Sequence, residues 1–156
     1  MSAEMSGQLR EQALTLDADL VQLPAEYKLQ QVWGALMETG YEPAVASLVV
    51  FADGSTSLYF STGGGVIGAG EHAQVRVAAL AFLEKSEALL SNLTTTTETP
   101  LPGKGRVRFY VRTFTGIRTA EAGEQELAQG RHALSSLFFA GHDVIAEVRA
   151  MSEQKQ

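Results

Sequence analysis

The chain has 156 residues, a formal net charge of −6 and no cysteine. The missing cysteine excludes disulfide frameworks, zinc–thiolate centres, iron–sulfur clusters and thiol nucleophiles together. Apolar and charged fractions of 45% and 19% are those of an ordinary globular domain, and a single domain spanning 1–156 is expected.

Residues 1–12 lack a basic region followed by an apolar core, and no apolar run approaches the roughly 20 residues needed to span a bilayer. A cytoplasmic protein without membrane attachment is expected. Residues 1–22 are polar with scattered leucines, predicting a short helix over 4–14 in a loosely docked N-terminal segment. Leu29, Val32, Trp33, Leu36 and Met37 then fall at helical spacing, with Pro24 suited to a first turn and Gly40 to a stop. This pattern predicts a helix over 24–39.

Two β-type runs follow, 46–52 and 56–62, separated by Asp53-Gly54. Asp-Gly is a strong signal for a two-residue hairpin turn, which would set Ala52 opposite Ser55. That register places Val49, Phe51, Leu58 and Phe60 on one face and Leu48, Val50 and Tyr59 on the other. With both faces of the first strand apolar, cover is expected on each side, from helices or from a second subunit.

Gly63-Gly64-Gly65 ends the second run, 66–69 is a short candidate strand, and a helix is predicted over 71–92. Its inward stripe is Val75, Ala79, Phe82, Ser86 and Leu89. The Thr/Pro-rich stretch 94–104 reads as a loop. Two strands follow at 106–114 and 117–122, then a polar connection over 123–130 and a closing helix over 133–151. The expected fold is α+β: an antiparallel sheet of four to five strands flanked by helices, in the order α-ββ(β)-α-ββ-α.

The glycine-rich turn is the segment closest to a chemical motif. Gly63, Gly65 and Gly68 match G-x-G-x-x-G, and Gly68, Gly70 and Ala73 match G-x-G-x-x-A before a helix. Such glycines let backbone amides approach a pyrophosphate. Glu71 sets negative charge where phosphate would sit, and no second hydrophobic parallel strand follows, so close packing is the better reading. Gly63, Gly65, Gly68, Gly70, Glu71 and His72 are the candidate ligand-binding residues.

His72, His132 and His142 show no metal-ligand spacing, and no G-x-S-x-G elbow is present, so no metal, cofactor or catalytic residue is assigned. Arg106, Arg108, Tyr110, Arg112 and Phe114 alternate onto one strand face, a basic stripe with aromatics of the kind used by single-strand nucleic-acid platforms. Against an acidic total, Arg–carboxylate contacts within the protein or its dimer fit better, and nucleic acid is not expected.

The stretch from Asp53 through His72, together with Leu101-Pro102-Gly103-Lys104-Gly105-Arg106-Val107-Arg108-Phe109, resembles a group of small uncharacterised bacterial proteins; the resemblance implies no site. The layout also resembles the roadblock and profilin-like proteins, which implies a dimeric scaffold for protein partners. The expected function is therefore a non-catalytic protein-binding or scaffold domain, acting as a homodimer with an unidentified protein partner. The alternatives are a nucleotide- or small-ligand-binding protein using 63–71, and an immunity-type protein whose acidic surface meets a basic partner.

Overall fold

A computed structural model describes residues 1–154. It contains α1 (Ala3–Thr15), β1 (Val32–Gly40), β2 (Val45–Phe51), β3 (Thr56–Phe60), β4 (Gly65–Val66), α2 (Ala73–Ala88), β5 (Thr94–Thr96), β6 (Arg106–Thr113), β7 (Gly116–Gly123), α3 (Glu124–Ala128) and α4 (Ser135–Gln154). The fold is α+β, with seven strands in the order β4-β3-β2-β1-β6-β7-β5, antiparallel at every pairing. The sheet is larger than the four to five strands expected, because β1 and β5 lie where a helix and a loop were predicted.

Residues 32–40 are a strand, so the predicted helix over 24–39 is corrected. All nine residues of β1 are buried. A strand covered on both faces loses its alternation, and a solid apolar run then imitates helical spacing by chance. The preceding segment is held by side chains instead. The Tyr27 hydroxyl donates to the Val32 carbonyl at 2.7 Å. Glu87, on α2, accepts the backbone N–H groups of Gln30, Gln31 and Val32 at 3.1, 2.8 and 2.9 Å.

The hairpin turn is one residue longer than expected. Gly54 N–H donates to Phe51 O at 3.0 Å, and Phe51 N–H to Ser55 O at 2.9 Å, so the loop is Ala52-Asp53-Gly54. The glycine sits at φ +93°, the left-handed residue that a three-residue hairpin loop requires. Phe51, not Ala52, therefore faces Ser55, and every pairing moves by one. Leu48 lies opposite Leu58, and Val49 opposite Ser57. A one-residue slip exchanges faces: Leu48, Val50 and Leu58 join one apolar cluster, while Val49 and Tyr59 join the other.

Each face of the sheet is covered by the chain itself. On one side α2 and α4 pack against each other over the larger cluster, burying Val75, Ala79, Phe82, Leu137, Val144 and Val148. On the other side α1 lies over Leu36, Val49, Tyr59 and Tyr110. The N-terminal segment is docked by specific bonds: Arg10 meets Glu38 of β1, and Gly64 N–H donates to Met1 O at 3.0 Å. Both apolar faces of β2 are thus satisfied without a second subunit. Among the described residues no helix is long and apolar enough to cross a membrane.

Glu87 gives the first prediction. Burial alone would raise its carboxyl, but three backbone N–H donors outweigh that and hold it below the ordinary carboxylate range. A group with a depressed folded-state pKa stabilises fully above its unfolded pKa and loses that contribution as pH falls through the folded value. Glu87→Gln is expected to cost about 1–2 kcal/mol near neutrality, a modest figure because solvent reaches the carboxylate. Urea midpoints of both proteins across pH should differ by a constant amount at neutral pH and converge in acid.

Candidate functional site

Residues of the glycine-rich turn line an open groove of about 540 Å³ beside the β2–β3 hairpin. Val49 and Phe51 of β2 and Tyr59 of β3 supply its apolar floor. Leu16, Leu20 and Val21, following α1, form one wall, and Ile67, Gly68, Gly70 and Glu71 form the other. The register explains the floor: odd-numbered residues of β2 and β3 face the α1 side, and α1 ends before covering them all. Leu20 and Ile67 are 74% and 59% exposed, so two aliphatic side chains stand in solvent at the rim. Asp53 and Glu71 line the groove, and among the described residues no lysine or arginine does.

Three of the six candidate ligand-binding residues meet here: Gly68, Gly70 and Glu71. Gly63, Gly65 and His72 do not line the groove. Gly63 lies against the N-terminus, where an added Cβ would come within 2.9 Å of Met1 O, and Gly65 lies against β3. His72 ends a 3₁₀ turn and precedes α2, with no hydrogen bond from its side chain to that helix. Gly70 passes so close to the hairpin turn that a Cβ would stand 1.9 Å from Gly54 O. Its carbonyl also accepts Arg76 Nη1 at 2.8 Å. Gly63, Gly65 and Gly70 are explained by close approach of backbone to backbone, and Gly68 by a left-handed φ of +76° in open space; two carboxylates in the groove oppose a phosphate there.

The basic stripe on β6 is committed to intramolecular partners. Arg106 and Arg108 both pair with Glu121 of β7, each at 3.4 Å. Tyr110 is fully buried, its hydroxyl donating to Pro100 O, and burial foremost pushes its phenol up to about 12. Arg112 donates to Ala13 O and Leu16 O, both at 2.7 Å, so it caps the C-terminal end of α1. Burial lowers its guanidinium from the ordinary value. Its cationic centre lies 4.4 Å from the Trp33 ring centroid, and Trp33 stacks on Phe51 at 5.8 Å. Phe114 stands exposed in the turn beyond β6.

The histidines stay apart from this groove. His132 accepts Leu134 N–H at 3.0 Å through Nδ1, at the start of α4. His142 lies edge-on to Phe138 at 4.4 Å, and burial lowers it from the ordinary histidine value. Among the described residues, no group of three or more His, Asp or Glu side chains gathers where it could hold a metal.

One buried polar centre escaped the sequence reading. Glu38, 0% exposed on β1, receives Arg10 Nε and Nη2 at 2.8 Å each, and the Ser47 hydroxyl at 2.5 Å. Burial by itself would lower the Arg10 guanidinium; the hydrogen bonds and charge of Glu38 hold it above its ordinary value. A single glutamate directly after the apolar run Ala35-Leu36-Met37 was the available signal, hidden because the run was read as a helix.

Close packing at Gly70 predicts that Gly70→Ala costs about 3 kcal/mol through backbone displacement. Gly64→Ala, at φ +87° with nothing within 4 Å of a Cβ, should cost about 1 kcal/mol of backbone strain. Urea midpoints will separate the two; equal losses would refute the packing account. No family model, curated protein or solved structure matches this chain.

Proposed function

We propose that the protein is a non-catalytic protein-binding module, and that the groove beside the β2–β3 hairpin takes a partner segment bearing apolar and basic side chains. The observation that carries this reading is the combination of an apolar floor, two solvent-exposed aliphatic rim residues and two acidic liners. Exposed aliphatic residues around a concavity favour a partner that desolvates them. The carboxylates, on a chain of net charge −6, favour a cationic one. The nucleotide reading is weaker, because among the described residues no basic side chain lines the groove.

Self-association has a different surface to use. The outer face of α2 and α4 carries a channel whose apolar lining is Ala73, Val77, Ala78, Ala81, Ala140 and Ala146, edged by Gln74, Asp143 and Glu147, with Val77 72% exposed. We place a homodimer contact there. Light scattering should then give a dimer that Val77→Glu dissociates, and a monodisperse monomer of the unaltered protein would remove this reading.

The groove is tested by selecting random peptides on the folded protein and measuring the winners by calorimetry. Selected peptides should be enriched in aliphatic residues next to lysine or arginine. Ile67→Asp and Glu71→Lys should each weaken them by about tenfold or more, with the weakening by Glu71→Lys relieved at high salt. Peptides whose affinity ignores both substitutions would refute the groove as the site.

A further inference from the structure

We propose that two copies of the chain cross on the outer face of α2 and α4 about a diagonal two-fold axis, so that Lys85 of each copy pairs with Glu147 of the other. The inference rests on the homodimer reading and deepens it by naming the charges that orient the contact. It does not depend on the groove.

Helical spacing puts both charges on one outward face. On α2, Gln74, Ala78, Ala81 and Lys85 recur at intervals of four, three and four residues, the stripe of a single helical face. On α4, Ala140, Asp143 and Glu147 recur in the same way. All of these except Lys85 line the channel between the helices, and Lys85 is exposed one turn beyond Ala81. Val77 and Phe139, 72% and 45% exposed, stand beside the two stripes. Glu84 lies on the flank of α2 with Leu80, four residues before it. The face is thus a largely apolar field with a cation at one end and carboxylates toward the other.

Within one copy these charges stay apart. A Cβ on Gly141 would come within 3.3 Å of Phe82, so those two residues mark one level of the helix pair. Ala73 and Gln74 share the channel with Ala146 and Glu147, so the helices run antiparallel. Lys85 lies beyond that level in one direction and Glu147 in the other, with an axial separation of about 14 Å. Neither finds a partner on its own helix. The residues three and four away from Lys85 are Ala81, Phe82, Ala88 and Leu89; those from Glu147 are Asp143, Val144, Ala150 and Met151. Among the described residues, neither takes part in a salt bridge.

A second copy supplies what one copy lacks, and the charges select how it sits. A two-fold axis running across both helices would lay α4 on α4 and set carboxylates against carboxylates. An axis running along the helices would lay α2 over α4 at the same level, leaving Lys85 near Phe138 and far from Glu147. A diagonal axis carries the Lys85 end of α2 over the Glu147 end of α4, and symmetry makes the pair twice. Alanines at the crossing let the helices approach closely, while Val77 and Phe139 lose their exposure to water. The apolar field supplies the attraction, and the charges at its ends fix the orientation.

The test uses the full chain and two separate variants, Lys85→Glu and Glu147→Lys, with association measured by sedimentation. Each variant alone sets like charges together at both pairs of its own dimer, and its self-association should weaken by about tenfold or more. In an equimolar mixture, every pair between unlike copies joins opposite charges. Dimerisation should then return to within about threefold of the unaltered protein. Lys85 also suits the last turn of α2, but a loss of helix stability is not repaired by mixing. Failure of the mixture to recover overturns the proposal. A dimer that ignores both substitutions also overturns it, and dissociation of that dimer by Val77→Glu would leave the contact itself standing. A monomeric unaltered protein removes contact and pairing together. Should either variant fail to fold, salt decides on the unaltered protein. Raising it from about 0.05 M to about 0.5 M should weaken the dimer at least about threefold, and unchanged or tighter association refutes the pairing.

Discussion

Burial of β1 on both faces is the constraint around which the other elements are arranged. Its hydrogen bonds run to β2 on one side and β6 on the other, so both hairpins are built outward from it. The face toward α2 and α4 is largely apolar, with Trp33, Ala35 and Met37 in the large cluster. The opposite face carries Glu38, and a carboxylate in the middle of a sheet requires a cation from the layer above. Arg10 supplies it, which fixes where α1 crosses the strands. The two layers are therefore held by different physics, one by apolar area and the other by a paired charge.

The helices α2 and α4 were legible in the sequence because their apolar residues keep a 3.6 period over many turns. Val75, Ala79, Phe82 and Ser86 are buried as their spacing required, and so are Leu137, Val144 and Val148. The β6–β7 pairing was visible in the alternation of Val107, Phe109 and Val111. What failed was periodicity in the centre of the sheet, where Val32 to Met37 are buried on either face and leave no alternation to read. Residues 94–96, taken for loop, pair with β7; threonines suit an edge strand, and the nearby prolines obscured them.

The site was less legible than the fold. The hairpin was recognised from Asp53-Gly54, yet the choice between a two- and a three-residue loop depends on one glycine's dihedral angle. That choice decides which side chains form the groove floor. Gly68, Gly70 and Glu71 reached the groove, whereas Gly63 and Gly65 were spent on backbone contacts that no local pattern reveals. The contact between Arg10 and Glu38 spans 28 positions, and only the sheet brings them together.

The two ends of the sheet are its shortest members, the two-residue β4 and the three-residue β5. Long flat edges template the addition of further strands and lead to fibrous aggregation. Such short margins present little template, with Gly65 bending one and neighbouring prolines interrupting the chain after the other. The chain can thus display apolar surface in its groove and on its helices while its sheet resists growing from molecule to molecule, and concentrated solutions should stay clear of amyloid-type assembly.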